Sequence, residues 1–175
     1  RLVVVPVRFR KISSESGCSD YQRTEAMTEL ITFTEEQGML LETAADFCRN
    51  HSPMDSVRSK LDATAMDRET WQEMTDLGWL AINIPEPYGG LGMEIGSVVP
   101  VVEAMGRYLM GTPFVPTVLL AEALVSGGSE SQKGHWLPKI MAGAVGTLAL
   151  TEADGNWQLG AIQAEAAADG DRLRL

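Results

Sequence analysis

The chain has 175 residues, of which 45% are hydrophobic and 22% charged, and it carries a formal net charge of −10 at pH 7. That is ample apolar content for one domain, or one domain and part of another, and the acidic balance makes a poor counterion-releasing surface, so nucleic acid is not an expected partner. Gly, Pro or a charge interrupts every apolar run before the roughly 18 residues that a bilayer span needs, so no membrane contact is expected. Two cysteines, Cys18 and Cys48, with two histidines, His51 and His135, suit neither a four-ligand zinc site nor a disulfide framework, and the expected setting is cytoplasmic and free of bound metal.

Residues 1–26 differ in composition from the rest: they hold five Lys/Arg against three Asp/Glu, while residues 27–175 hold nine against 21. Leu2-Val3-Val4-Val5-Pro6-Val7 is too short for a secretory apolar region, and no small-residue cleavage site follows it. The chain opens on Arg1, and Met27 stands directly before the first helical pattern, so Met27 reads as the natural start and residues 1–26 as an upstream or non-native extension.

From Thr34 the pattern is helical. Thr34-Glu35-Glu36-Gln37 has the form of a reciprocal capping pair with acidic residues in the first turn. Leu40, Ala44 and Phe47, joined by Met39 and Cys48, form its expected core face, and Asn50-His51-Ser52-Pro53 stops it. Cys48 and His51 are neighbours there; a core cysteine and a helix-end histidine is the preferred reading over a catalytic pair.

A second helix is predicted from about Asp67 to Leu77, with Trp71, Met74 and Leu77 on one face and Gly78 just past its end. The Pro85-Glu86-Pro87-Tyr88-Gly89-Gly90-Leu91-Gly92 run after the apolar 79–84 segment has glycines that suit a phosphate cradle, but it matches neither a Walker loop nor a dinucleotide fingerprint, and a tight turn is the preferred reading.

Residues 97–109 form a further helix with Val98, Val101, Val102, Met105 and Leu109 on its apolar face. Residues 112–116 read as a connection, and Val118, Leu119, Ala121 and Leu124 as a helix ended by Gly127-Gly128. Ser129-Glu130-Ser131-Gln132 repeats the capping chemistry, and Trp136, Leu137, Ile140 and Met141 line a last helix, kinked or divided near Pro138. Beyond Gly143 the period changes. Residues 145–151 and 162–166 read as strands, Asp169-Gly170-Asp171 as a hairpin turn and Arg172–Leu175 as a return strand, so the chain reads as the front portion of a larger protein.

The order of segments resembles the acyl-CoA dehydrogenase family. The likeness is carried by Phe33-Thr34-Glu35-Glu36-Gln37, by Leu77-Gly78-Trp79-Leu80 leading into the 85–93 loop, by Trp136-Leu137-Pro138-Lys139-Ile140 and by Ala149-Leu150-Thr151-Glu152, and it covers residues from about 32 to 175. It implies a mainly α chain: a helical N-terminal domain over 27–143 and the truncated start of a barrel-like β-domain over 144–175. It also implies FAD as cofactor, an acyl-CoA thioester as substrate, an electron-transfer flavoprotein as acceptor, and a homo- or hetero-oligomer.

On that resemblance the cofactor contacts fall on Leu148, Leu150 and Thr151, whose hydroxyl by itself would read as a turn cap. The family's Thr-Glu-Pro and Ala-Gly-Ser-Asp loop is here Ala153 and Asp154-Gly155-Asn156-Trp157-Gln158. Asn156 and Trp157 are therefore cofactor candidates, and Trp157 stands either beside the substrate or over apolar surface at a contact. The family's base comes from its C-terminal helical domain, so Glu152 is not assigned that role and no catalytic residue is expected in this chain. The activity implied is α,β-dehydrogenation of an acyl-CoA, with the isolated chain inactive. A non-catalytic or FAD-deficient partner subunit in a mixed oligomer is the alternative, suggested by the 154–158 departure.

Overall fold

The computed structural model describes residues 33–61, 66–150, 152–156, 158, 160 and 162–163, with the backbone of 167–169 and 172–174. The expected extension before Met27 lies outside the described residues. Among the described residues, six α-helices follow in order: α1 (Glu35–His51), α2 (Met54–Ser59), α3 (Arg68–Asp76), α4 (Val99–Arg107), α5 (Phe114–Gly127) and α6 (Glu130–Met141). Between α3 and α4 the chain makes three 3-10 turns, at Trp79–Ala81, Glu86–Tyr88 and Ile95–Val98. The strands β1 (Ala167–Asp169) and β2 (Arg172–Arg174) pair antiparallel, with Asp169 opposite Arg172, where the hairpin is expected. No described helix is long and apolar enough to cross a membrane.

Local chemistry places the helix starts. The Thr34 hydroxyl accepts from the Gln37 amide at 3.2 Å while the Gln37 side chain accepts from the Thr34 amide at 3.1 Å. Ser129 and Gln132 repeat the exchange at 3.3 and 2.9 Å ahead of α6. Each such cap stabilises its helix by about 1 kcal/mol. Asp67 caps α3 through the Thr70 amide, and Gly78, with φ of 75°, takes the left-handed conformation that ends it.

Several expected features differ. The helix expected from Val118 begins four residues earlier, at Phe114, inside the expected 112–116 connection, because Pro113 and Pro116 lie at its cap and in its first turn, where a missing N–H costs nothing. The helix expected over 97–109 divides into the Ile95–Val98 turn and α4, which carries Pro100 in its first turn. Helix α6 continues undivided through Pro138, whose unmet acceptor is the carbonyl of exposed Gly134. Residues 145–150 are not a strand, nor are 162–163; residues 151 and 164–166 lie outside the described set. Met39, Leu77, Val102, Leu109 and Leu119, all expected in the core, are exposed. Spacing alone gave each helix a wider apolar stripe than its neighbours cover.

The core has two parts. The larger joins Ala44, Phe47 and Cys48 of α1, Trp71 and Met74 of α3, the Trp79–Ile82 turn, and Val101, Ala104 and Met105 of α4 to Phe114 and Val118 of α5. The Trp79 ring meets Phe47 edge-on at 5.0 Å and Phe114 at 6.4 Å. The smaller joins Ile84, Ala121, Leu124, Leu137 and Ile140. Both depend on how the 85–93 loop folds back. Its Leu91, Gly92 and Met93 amides donate to the carbonyls of Ala81, Ile84 and Ile82 at 2.9, 2.8 and 3.0 Å. Those donors are spent on the chain's own backbone, which is why the glycines make a turn and no phosphate cradle. A Cβ at Gly90 would lie 2.0 Å from the Ile84 carbonyl oxygen, so only glycine fits.

Two stability predictions follow from these contacts. Gly90→Ala is expected to cost about 2–3 kcal/mol in chemical denaturation, whereas Gly38→Ala, with nothing within 4 Å of the added Cβ inside α1, gains up to about 1 kcal/mol. The Asp67 carboxyl is held down to about 2, chiefly by the hydrogen bond from Lys60 and then by the Thr70 amide. A depressed carboxyl stabilises the fold above its ordinary pKa of 3.8 and loses that effect as pH falls towards 2. Asp67→Asn keeps the cap, so it should lower stability by less than about 1 kcal/mol at pH 7. That deficit should vanish in denaturation curves as the pH approaches 2.

Candidate functional site

Helix α5 is apolar around nearly its whole circumference, a pattern that demands cover on more than one side. Phe114, Thr117, Val118, Ala121 and Leu124 face inward and are buried. Val115 and Leu119 are not: they are 39% and 50% exposed, and they face a groove of about 380 Å³ shared with Val99 and Val102 of α4. Buried Val98 and Val118 complete the walls. Five of the eight lining side chains are valines, whose branching at Cβ fixes χ1, so the walls are stiff. Glu103 also lines the groove and is paired with Arg107 at 3.1 Å.

A second cleft of about 400 Å³ adjoins it and shares Ile95. Its polar groups are Glu94, Glu122 and Asn83. Asn83 Nδ2 donates to Glu122 Oε2 at 3.0 Å, and Ser126 Oγ donates to Glu122 Oε1 at 3.1 Å.

The segment expected to meet the cofactor leaves α6 under two restraints. Trp71 Nε1 donates to the Gly143 carbonyl at 2.8 Å, and the Thr117 hydroxyl both donates to the Gly146 carbonyl and accepts from its amide, each at 3.2 Å. Gly146 passes so close to α5 that a Cβ there would lie 2.2 Å from Leu120 Cδ2. Leu148 is half-buried and Leu150 is exposed. Asn156 is exposed; its amide donates to Asp154 Oδ1 at 3.0 Å and its side chain accepts from the Gln158 amide at 2.9 Å, a run of side-chain turns that shapes the loop. Glu152 accepts from the Gln163 amide with both carboxylate oxygens, at 3.0 and 3.1 Å. Thr151 and Trp157 lie outside the described residues. Neither groove is lined by Leu148, Leu150 or Asn156. Residues 147–150 make no backbone hydrogen bond to another described residue.

The Cys48 and His51 side chains each find a partner other than one another. Cys48 is fully buried, burial pushes its thiol up to about 11, and its Sγ lies 3.7 Å from Met110 Sδ. His51 stacks on Phe47, with Nδ1 3.0 Å from the Phe47 carbonyl and Nε2 2.9 Å from Glu73 Oε2. This is a packing cysteine and a histidine that ties α1 to α3.

Helical spacing places Val102 and Leu119 in the core and does not single out Val99 or Val115. The signal that identifies the groove is the run Phe114-Val115-Pro116-Thr117-Val118-Leu119-Leu120-Ala121, with no polar face apart from Thr117.

Comparison with known proteins matches residues 34–144 to the family described as acyl-CoA dehydrogenase, N-terminal domain. The mitochondrial isovaleryl-CoA dehydrogenase of Bos taurus is 30% identical over 81% of this chain and 34% of that protein. Among solved structures, the Tcur3481–Tcur3483 steroid ACAD variant superposes with a TM-score of 0.71 at 29% identity, over 80% of this chain and 39% of that one. The ChsE4–ChsE5 complex from Mycobacterium tuberculosis gives 0.66 at 26% identity, over 82% and 37%. The chain spans about a third of the length of these relatives.

The buried thiol gives a direct check. In the folded protein Cys48 should resist a thiol-specific reagent at pH 8 and react only as the protein unfolds, because desolvation disfavours the thiolate that attacks; rapid labelling of Cys48 under native conditions would contradict this packing.

Proposed function

Since the chain belongs to the acyl-CoA dehydrogenase family, whose N-terminal domain it matches over residues 34–144, we propose that it serves a FAD-dependent dehydrogenase that oxidises an acyl-CoA thioester between Cα and Cβ. Residues 27–143 are its helical domain and 144–175 the start of its β-domain. The observation that carries this reading is the α4–α5 groove, an aliphatic channel left open on a well-packed domain. A hydrocarbon chain laid between Val99, Val102, Val115 and Leu119 removes apolar surface from water on both sides, at about 25 cal/mol per Å². When bound, FAD supplies the acceptor for the β-hydride.

This chain's own residues bind and orient. The valine walls exclude water from the acyl chain, and the peptide groups of 147–150, which make no backbone hydrogen bond to another described residue, together with the Thr151 hydroxyl, offer hydrogen bonds to a flavin edge. Leu148 and Leu150 flank that edge, and Asn156 and Trp157 border it from the following loop. Both Glu152 oxygens are taken by the Gln163 amide, which fits a structural carboxylate and leaves the proton-abstracting base to another part of the enzyme. Electrons then pass to an electron-transfer flavoprotein, and the working form is an oligomer. A second reading, a partner subunit of a mixed oligomer, is favoured by the likeness to the ChsE4–ChsE5 complex and by the altered 154–158 loop.

Activity of the full-length protein on acyl-CoAs with an artificial electron acceptor tests this. Leu119→Asp places a charge in the groove on a residue already 50% exposed. It should lower kcat/KM about 10- to 100-fold with flavin content and fold unchanged; equal kcat/KM would remove the acyl chain from the groove. Thr151→Val, nearly isosteric, should weaken FAD by up to about tenfold or shift the flavin spectrum, and an unchanged flavin would assign Thr151 to a turn.

A further inference from the structure

The walls of the groove change character together. On α5 the cavity-lining stripe runs from exposed Val115 and Leu119 to half-buried Glu122, so the aliphatic face turns acidic within one helical turn. On the facing wall the order is Val102, Val99, Ile95, Glu94. Ile95 is the side chain common to both cavities, with the hydrocarbon-lined groove on one side and the cleft of Asn83, Glu94 and Glu122 on the other. We propose that Ile95 is a specificity-determining partition: it sets the length of hydrocarbon that the groove accepts, and the cleft behind it receives only chains that end in a hydrogen-bond donor such as a hydroxyl.

The inference rests on the acyl reading above and names the substrate class of that same groove. Its physical basis is the difference between the two compartments. A methylene that enters the valine-lined part gains transfer free energy. A methylene that passes Ile95 meets the Glu122 carboxylate, held by Asn83 and Ser126, and would strip water from it without offering a hydrogen bond. A terminal hydroxyl restores that bond by donating to a carboxylate oxygen. Ile95 sits at the first position of a short 3-10 turn and is 42% exposed, so changing it leaves the core untouched.

The experiment compares kcat/KM of the full-length wild type, Ile95→Ala and Ile95→Phe on saturated acyl-CoAs of increasing length and on the ω-hydroxylated chain of each length. In the wild type, kcat/KM should rise about fourfold per methylene, the equivalent of ~0.8 kcal/mol, up to a cutoff. Ile95→Ala should move that cutoff outward by two or more carbons, with ω-hydroxyl chains beyond it gaining several-fold more than plain ones. Ile95→Phe should move it inward. A cutoff that stays put in both variants, or an equal gain for plain and hydroxylated chains in Ile95→Ala, overturns the partition while leaving the acyl reading standing. No turnover of any acyl-CoA by the flavin-loaded wild type overturns the acyl reading and the partition with it.

Discussion

Helix α5 has more apolar surface than a single core can cover, and the rest of the domain is arranged around that excess. Its Phe114 and Val118 complete the cluster built by α1, α3 and α4, while Ala121 and Leu124 complete the one built with α6. Thr117 spends its hydroxyl on Gly146 and so fixes the path of the chain that leaves the helical domain. What remains, Val115 and Leu119, cannot be buried by any of these contacts and forms a groove wall. The helix that joins the two cores therefore also positions the open aliphatic surface, and a wall held by buried neighbours on the same helix is a rigid one.

The 85–93 loop is the second element on which this depends. It returns over the 79–84 turn with three amides satisfied by that turn's carbonyls, and it presses Gly90 against Ile84, a member of the smaller core. It also delivers Glu94 and Ile95 to the end of the groove. The glycines thus act through close backbone approach, and the polar cleft beside the groove is a product of the same turn that seals the core.

The elements legible in the sequence were those whose signal is local. Thr34 with Gln37, Ser129 with Gln132, and Gly78 each satisfy or end a helix within a few residues and take their expected roles, and Asp67, expected near a helix start, caps it. The features that escaped depend on what packs from far away. Leu119 and Leu124 share a helix and an aliphatic character, yet one is 50% exposed and the other fully buried, a difference decided by where α4 and α6 lie. The prolines at 113 and 116 read as a linker because their tolerance in a first turn depends on a helix whose start they conceal. The family order of motifs marks the helical domain, whereas the groove was invisible to it, because no motif marks residues such as Val99 and Val115 whose only distinction is to be left uncovered.

The central claim is that the groove between α4 and α5 holds the hydrocarbon of an acyl-CoA. The most direct measurement is a crystal structure of the full-length protein with a bound, non-oxidisable acyl-CoA analogue. Density for the chain is expected between Val102 and Leu119, ending against Ile95. Density for protein side chains filling that groove, with the acyl chain running elsewhere, would contradict it.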